Sequence, residues 1–153
     1  MDRGKIINRD YATQIRDFSG LRFGNITPTD IDGFIDFQNN RFVIMEFKYK
    51  GSTYPFGQKL ALGRLVDNLH DAGKKSIGII ASHTTSGDID CANCKVEEYR
   101  YRKHWYIKDI ATTVKQLIDK FLTLTGGNSY CDHSGSPAHN GNGTPNKPML
   151  ETA

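Results

Sequence analysis

Asp30, Asp32, Glu46 and Lys48 carry the clearest chemistry in the sequence. The two aspartates stand in Pro28-Thr29-Asp30-Ile31-Asp32-Gly33, and the other two close the run Phe42-Val43-Ile44-Met45-Glu46-Phe47-Lys48-Tyr49. In extended chain, side chains alternate with period two. Asp30 and Asp32 therefore share one face of their segment, and Glu46 and Lys48 share one face of the next. The four residues before Glu46 are apolar on both faces, the pattern of a central strand covered front and back. Charge brought to the end of such a strand is costly unless it is compensated. A metal ion is one compensation. An ion pair is another, and a solvated cross-strand Glu–Lys pair is the plain structural alternative. Hard carboxylate oxygens from two separate segments suit Mg2+ or Mn2+, which keep several waters and take further ligands from substrate phosphate.

The elements that must position these groups follow from the apolar pattern. Residues 8–18 predict a short helix, with Tyr11, Ile15 and Phe18 on one side and Gly20 as its stop, and 21–25 a short strand. Residues 31–37 and 41–49 predict two strands joined through Gln38-Asn39-Asn40 as a hairpin. Residues 56–72 predict a helix with Leu62, Leu65, Val66 and Leu69 on one face and Gly73 as its stop. The run 76–81 fits a buried strand, 99–107 a second one rich in aromatics and arginine, and 109–124 an amphipathic helix with Ile110, Val114, Leu117, Ile118 and Phe121 in its stripe. The order α-β-β-β-α-β-β-α, with a strand–helix–strand crossover after a hairpin, implies an α/β fold with a mixed sheet flanked by helices.

Asp-x-Asp-Gly ahead of an apolar strand, then Glu46-Phe47-Lys48 at the end of the next, resembles the PD-(D/E)XK nuclease superfamily, which includes Holliday-junction resolvases, many restriction enzymes and phage endonucleases. The resemblance covers residues 8–81, about half the chain, and implies a restriction-endonuclease-like αβββαβ core. It maps the first acid of the motif onto Asp32, the second onto Glu46 and the lysine onto Lys48. The Pro-Asp dipeptide is absent: Pro28 lies four residues before Asp32, so Asp30 stays open as a rival or auxiliary ligand. The implied activity is Mg2+-dependent hydrolysis of DNA phosphodiesters by an endonuclease, with structure-specific cutting allowed. Asp32, Glu46 and the Phe47 carbonyl would hold the metal, and Lys48 would serve the attacking water or the phosphate. Gln58 heads the buried stripe of the following helix, where several families of this type carry a glutamine. The alternative is a non-catalytic nucleic-acid-binding module, or a zinc-stabilised interaction module, on the same fold.

Other features bear on partners. Lys59, Arg100, Arg102 and Lys103 are candidate nucleic-acid contacts, the last three interleaved with Tyr99, Tyr101, His104 and Trp105. Cys91-x-x-Cys94 has zinc-ligand spacing, with Cys131 and His133 as the second half and His83, Asp88 or Asp90 as substitutes. Three cysteines do not pair into a disulfide framework, so a reducing cytoplasm (the host's, for a viral protein) is expected. The chain has 153 residues, 37% hydrophobic and 24% charged, enough for one modest core. The Gly-, Asn-, Ser- and Pro-rich stretch 126–153 reads as a flexible tail on a domain spanning 1–125. No apolar run spans a membrane and no secretory signal is read. A net charge of +3 permits DNA as a partner without arguing strongly for it, and a homodimer is allowed.

Overall fold

The computed structural model describes residues 5–15 and 17–126. The chain divides into two compact units, one ending at Asp30 and one starting at Ile31. The expected tail lies outside the described residues from 127 on.

The first unit holds a single helical turn, α1 (Arg9–Ala12), a 3-10 turn at Ser19–Leu21 and an isolated bridge between Phe23 and Ile26. Asn8 caps α1 by accepting from the Tyr11 amide at 3.3 Å. The helix expected over 8–18 stops there. Tyr11 and Ile15, which were to anchor its stripe, are exposed. A helix without a buried face is unfavourable at this length, and the Thr13 hydroxyl already bonds the Asp10 carbonyl at 3.1 Å. The strand expected at 21–25 is likewise a turn and a bridge, so the first of the three consecutive strands of the expected αβββαβ run is missing among the described residues.

The second unit is built on a five-stranded sheet of β1 (Gly33–Phe37), β2 (Arg41–Tyr49), β3 (Lys75–His83), β4 (Lys95–Tyr101) and β5 (His104–Ile107). The strands lie in sequence order; β2 and β3 are parallel and the other neighbours antiparallel. Helix α2 (Phe56–Asp71) makes the β2–β3 crossover, and α3 (Val114–Gly126) is the last element of the described residues. Two apolar clusters follow the pleat. Ile44 and Ile80 meet Leu62 and Val66 of α2, while Val43, Met45, Ile77 and Ile79 meet Val114, Leu117, Ile118 and Phe121 of α3. Both faces of β2 and β3 are thus covered, as the unbroken apolar run before Glu46 suggested. Close contact of α2 with β3 depends on Gly78, where a Cβ would come within 2.9 Å of Val66 Cγ2.

Helix ends are fixed by local chemistry. Gly73 adopts φ +82°, its amide bonds the His70 carbonyl and that of Lys74 bonds Leu69, which is a Schellman stop. Helix α3 starts at Val114, later than expected, because Thr113 and Gln116 form a reciprocal capping box: Gln116 N to Thr113 Oγ1 is 3.2 Å and Thr113 N to Gln116 Oε1 is 2.9 Å. Ile110, expected in the stripe, lies outside the helix and is exposed. The expected strand 99–107 is in fact the end of β4, a two-residue turn and β5. Arg102 and Lys103 both have positive φ (47° and 67°), the signature of a type I′ hairpin turn. No described helix is long and apolar enough to cross a membrane.

Candidate functional site: the end of β2

The last β1–β2 pair is Gly33 with Met45, and one step further Asp32 comes opposite Glu46. Asp32 Oδ2 accepts a hydrogen bond from the Phe47 amide at 2.8 Å. A carboxylate here replaces the main-chain carbonyl that would extend the ladder, which ties Asp32 to the residue between Glu46 and Lys48. Within an extended strand the N–H and C=O of one residue point to the same edge. The Phe47 carbonyl therefore also faces the β1 edge, on the side of Asp32. The Phe47 ring packs on the α3 side of the sheet, so the alternating residues Glu46 and Lys48 face the α2 side with Ile44. Glu46 is 6% exposed, at the end of a strand whose preceding side chains are buried. The Lys48 ammonium lies 5.9 Å from the centre of the Tyr54 ring. Asp30 is exposed and belongs to the first unit.

The donor set can be tested against the ions the sequence suggested. Among the described residues no three His, Cys, Asp or Glu side chains converge as a metal-binding group. Two carboxylates on one face with one main-chain carbonyl suit Mg2+, since it retains waters and takes the rest of its shell from phosphate. Of the suggested zinc ligands, Cys91 is exposed and Cys94 is buried with its thiol 3.4 Å from the Asp90 carbonyl. Cys131 and His133 lie outside the described residues. Desolvation, then the charges of Asp32 and Asp90, push the Cys91 thiol above its ordinary range; desolvation and Cys91 do the same to Cys94.

Sequence reasoning passed over a third carboxylate. The β3–β4 register slips at Ile80/Ala81, leaving Glu97 between the Glu98 and Val96 pairs. Such a bulge re-aims a side chain. Glu97 Oε1 accepts from the Ser82 hydroxyl at 2.6 Å, and Ser82 is the β3 partner of Lys48. The Ser82 hydrogen bond, against an opposing desolvation, and then Lys95 and Lys48, hold the Glu97 carboxyl below the usual carboxylate range. A carboxylate with a depressed folded-state pKa contributes stability above its unfolded pKa, and that contribution is lost as pH falls through the lower folded value. Glu97→Gln should therefore lower stability at neutral pH and flatten the acid limb of a stability–pH curve, with little difference from the parent once pH has fallen through the lowered pKa. An unchanged acid limb in thermal melts would contradict the Ser82–Glu97 assignment. It is the bulge that reveals Glu97.

The expected nucleic-acid contacts are mostly engaged with acids. Arg100 makes two hydrogen bonds to Asp67 of α2, at 3.0 and 2.6 Å, Lys59 pairs with Glu98, and Lys103 with Asp71 at 2.6 Å. Lys59 and Arg100 also cover the Trp105 ring, 4.7 and 5.7 Å from its centre. These contacts knit α2 to β4 and β5. Arg102 is exposed, over the Tyr101 ring at 5.3 Å. Arg100→Ala should cost roughly 1.5–3 kcal/mol in urea unfolding, the range for a charge-assisted hydrogen bond in a part-buried pair, with Asp67→Asn close behind. Unaltered stability together with lost DNA binding would return Arg100 to the interface role. Gln58, in the first turn of α2, is half-buried, and its amide makes no hydrogen bond among the described residues.

No protein-family model, curated protein or solved structure matches this chain.

Proposed function

We propose that the end of β2 is the active centre of a metal-dependent nuclease of PD-(D/E)XK type, acting on DNA as an endonuclease. The observation that carries this reading is the 2.8 Å bond from the Phe47 amide to Asp32, which gathers the acid of one segment to the Glu46–Lys48 end of a buried strand. Asp32, Glu46 and the Phe47 carbonyl would hold Mg2+ or Mn2+. When bound, the ion would supply charge at the phosphate and acidity to a bound water. Lys48, beside the Tyr54 ring, presents a fixed ammonium to charge developing on phosphate. Gln58, with its amide not engaged, orients water or substrate near the same end. The buried position of Glu46 excludes bulk water and so strengthens each of these electrostatic contacts.

A panel of supercoiled, single-stranded, flap and four-way-junction DNA, with RNA alongside, tests the proposal. Cleavage that requires Mg2+ or Mn2+, stops with EDTA and disappears in Lys48→Ala supports it. Absence of cutting on every substrate, or cutting that Lys48→Ala leaves intact, contradicts it.

A further inference from the structure

A second concave feature lies one strand over from the acids. Beyond the end of β3 the chain forms an open cleft of about 350 Å3, lined among others by Lys50, Ser82, His83, Thr84, Ile89 and Lys95. It sits at the C-terminal end of the parallel pair β2–β3, the end at which open α/β sheets receive ligands. Its size falls in the lower part of the range of about 300–1,000 Å3 for small-molecule sites.

The polar inventory of the cleft narrows the ligand. Lys50 and Lys95 bring two ammonium groups, Lys95 also lying 3.5 Å from Glu97. His83 Nδ1 is 3.1 Å from the Thr85 carbonyl. The Thr85 hydroxyl lies 3.5 Å from the same nitrogen, and the tautomer in which Nδ1 donates to the carbonyl leaves Nε2 as an acceptor. The ring is held edge-on to Tyr49 at 5.7 Å, and the Lys50 amide bonds the His83 carbonyl at 2.8 Å. The hydroxyl hydrogen of Ser82 is spent on Glu97, which leaves its oxygen to accept. Asp90, also in the lining, is occupied by the Asn93 amide at 2.7 Å. Ile89, the Cys94 thiol and the lysine stems supply apolar wall.

The cleft thus offers the Lys50 ammonium, a Lys95 ammonium shared with Glu97, the Asp90 carboxylate, the Ser82 and His83 acceptors, the hydroxyls of Thr84 and Thr85, and an apolar surface. Inorganic phosphate would use the cations alone. A ligand with an anion, a flat apolar ring and an N–H donor uses the cations, the acceptors and the apolar surface together.

We propose that this cleft binds a nucleoside 5′-monophosphate unit, with its phosphate on Lys50 and Lys95 and a base N–H on His83. The inference rests on the nuclease reading for its role: the cleft holds the nucleotide next to the one whose phosphate lies at Lys48, the strand passing over Ser82, which pairs with Lys48 in register.

The test is calorimetric titration of the full chain with 2′-deoxycytidine 5′-monophosphate in EDTA, with inorganic phosphate as the comparison. The nucleotide should bind at least about tenfold more tightly than phosphate, and the Lys50→Ala/Lys95→Ala double variant should lose at least about tenfold. His83→Phe should weaken the nucleotide and leave phosphate unchanged. Melting temperatures of the variants, all altered at or near the surface, check that each is folded. Equal affinity for phosphate and nucleotide overturns the proposal, as does binding indifferent to the double variant, or no binding at millimolar nucleotide. Because binding is read without metal or turnover, its failure leaves the catalytic reading standing. Binding by a protein that cuts no substrate keeps the nucleotide site and removes the catalytic reading alone.

Discussion

Glu46→Gln should reduce metal-dependent DNA cleavage by more than about a hundredfold, since replacing even the outer-shell partner of a metal ligand costs about 10–100-fold. The substitution keeps the size and shape of the side chain and removes one charge. It therefore separates a ligand role from a packing role at a site 6% exposed. Circular dichroism should show the fold intact, and raising Mg2+ should restore little, because one of the two proposed carboxylate ligands is gone. Asp32→Asn should fall in the same direction, with an added loss where the Phe47 amide is held less firmly. A Glu46→Gln protein that cuts at the wild-type rate would falsify the assignment of the β2 end as the metal centre.

Phe121→Ala should lower stability by about 3–5 kcal/mol, the range for removing a buried aromatic side chain. Phe121 is fully buried in the α3 cluster, edge-on to Tyr101 with ring centres 6.1 Å apart. Small domains hold only about 5–15 kcal/mol in all, so the variant should melt lower by roughly 15 °C or more. The effect reaches the site, because α3 supports Val43 and Met45, the residues that seat β2 from behind. Urea unfolding followed by circular dichroism measures it. A loss below about 1 kcal/mol would mean that α3 does not bear on the sheet as described.

The parts legible from sequence are those where one physical signal dominates. The apolar run before Glu46 places β2 over 41–49 because a strand covered on both faces admits no other pattern. Helix α2 and its stop were readable from the leucine spacing and Gly73, although Leu65 proves exposed. The hairpin turn through Gln38 and Asn39, both at positive φ, was announced by its polar residues. The turn at Arg102-Lys103 was not, since neither residue is a usual left-handed one and the flanking aromatics read as a continuous strand. The start of α3 was misread although Thr113-x-x-Gln116 spells a capping box, because Ile110 extended the apolar period backwards. In the first unit, apolar spacing suggested a helix that has no buried face to sustain it.

The site divides in the same way. Strand periodicity gave Glu46 and Lys48 a common face, and the β1–β2 register, a matter of pairing, adds Asp32. The acidic partners of Lys59, Arg100 and Lys103 sit on other elements, so no spacing along the chain could have shown that these cations are occupied. Glu97 and the β3-end cleft depend on a bulge and on a loop path, both set by tertiary structure.

The most direct measurement is the position of Mn2+ in anomalous diffraction from crystals soaked in the ion. The expected peak lies about 2.1 Å from carboxylate oxygens of Asp32 and Glu46 and from the Phe47 carbonyl. A peak at another place on the chain, or none at saturating Mn2+, would contradict the proposed metal centre.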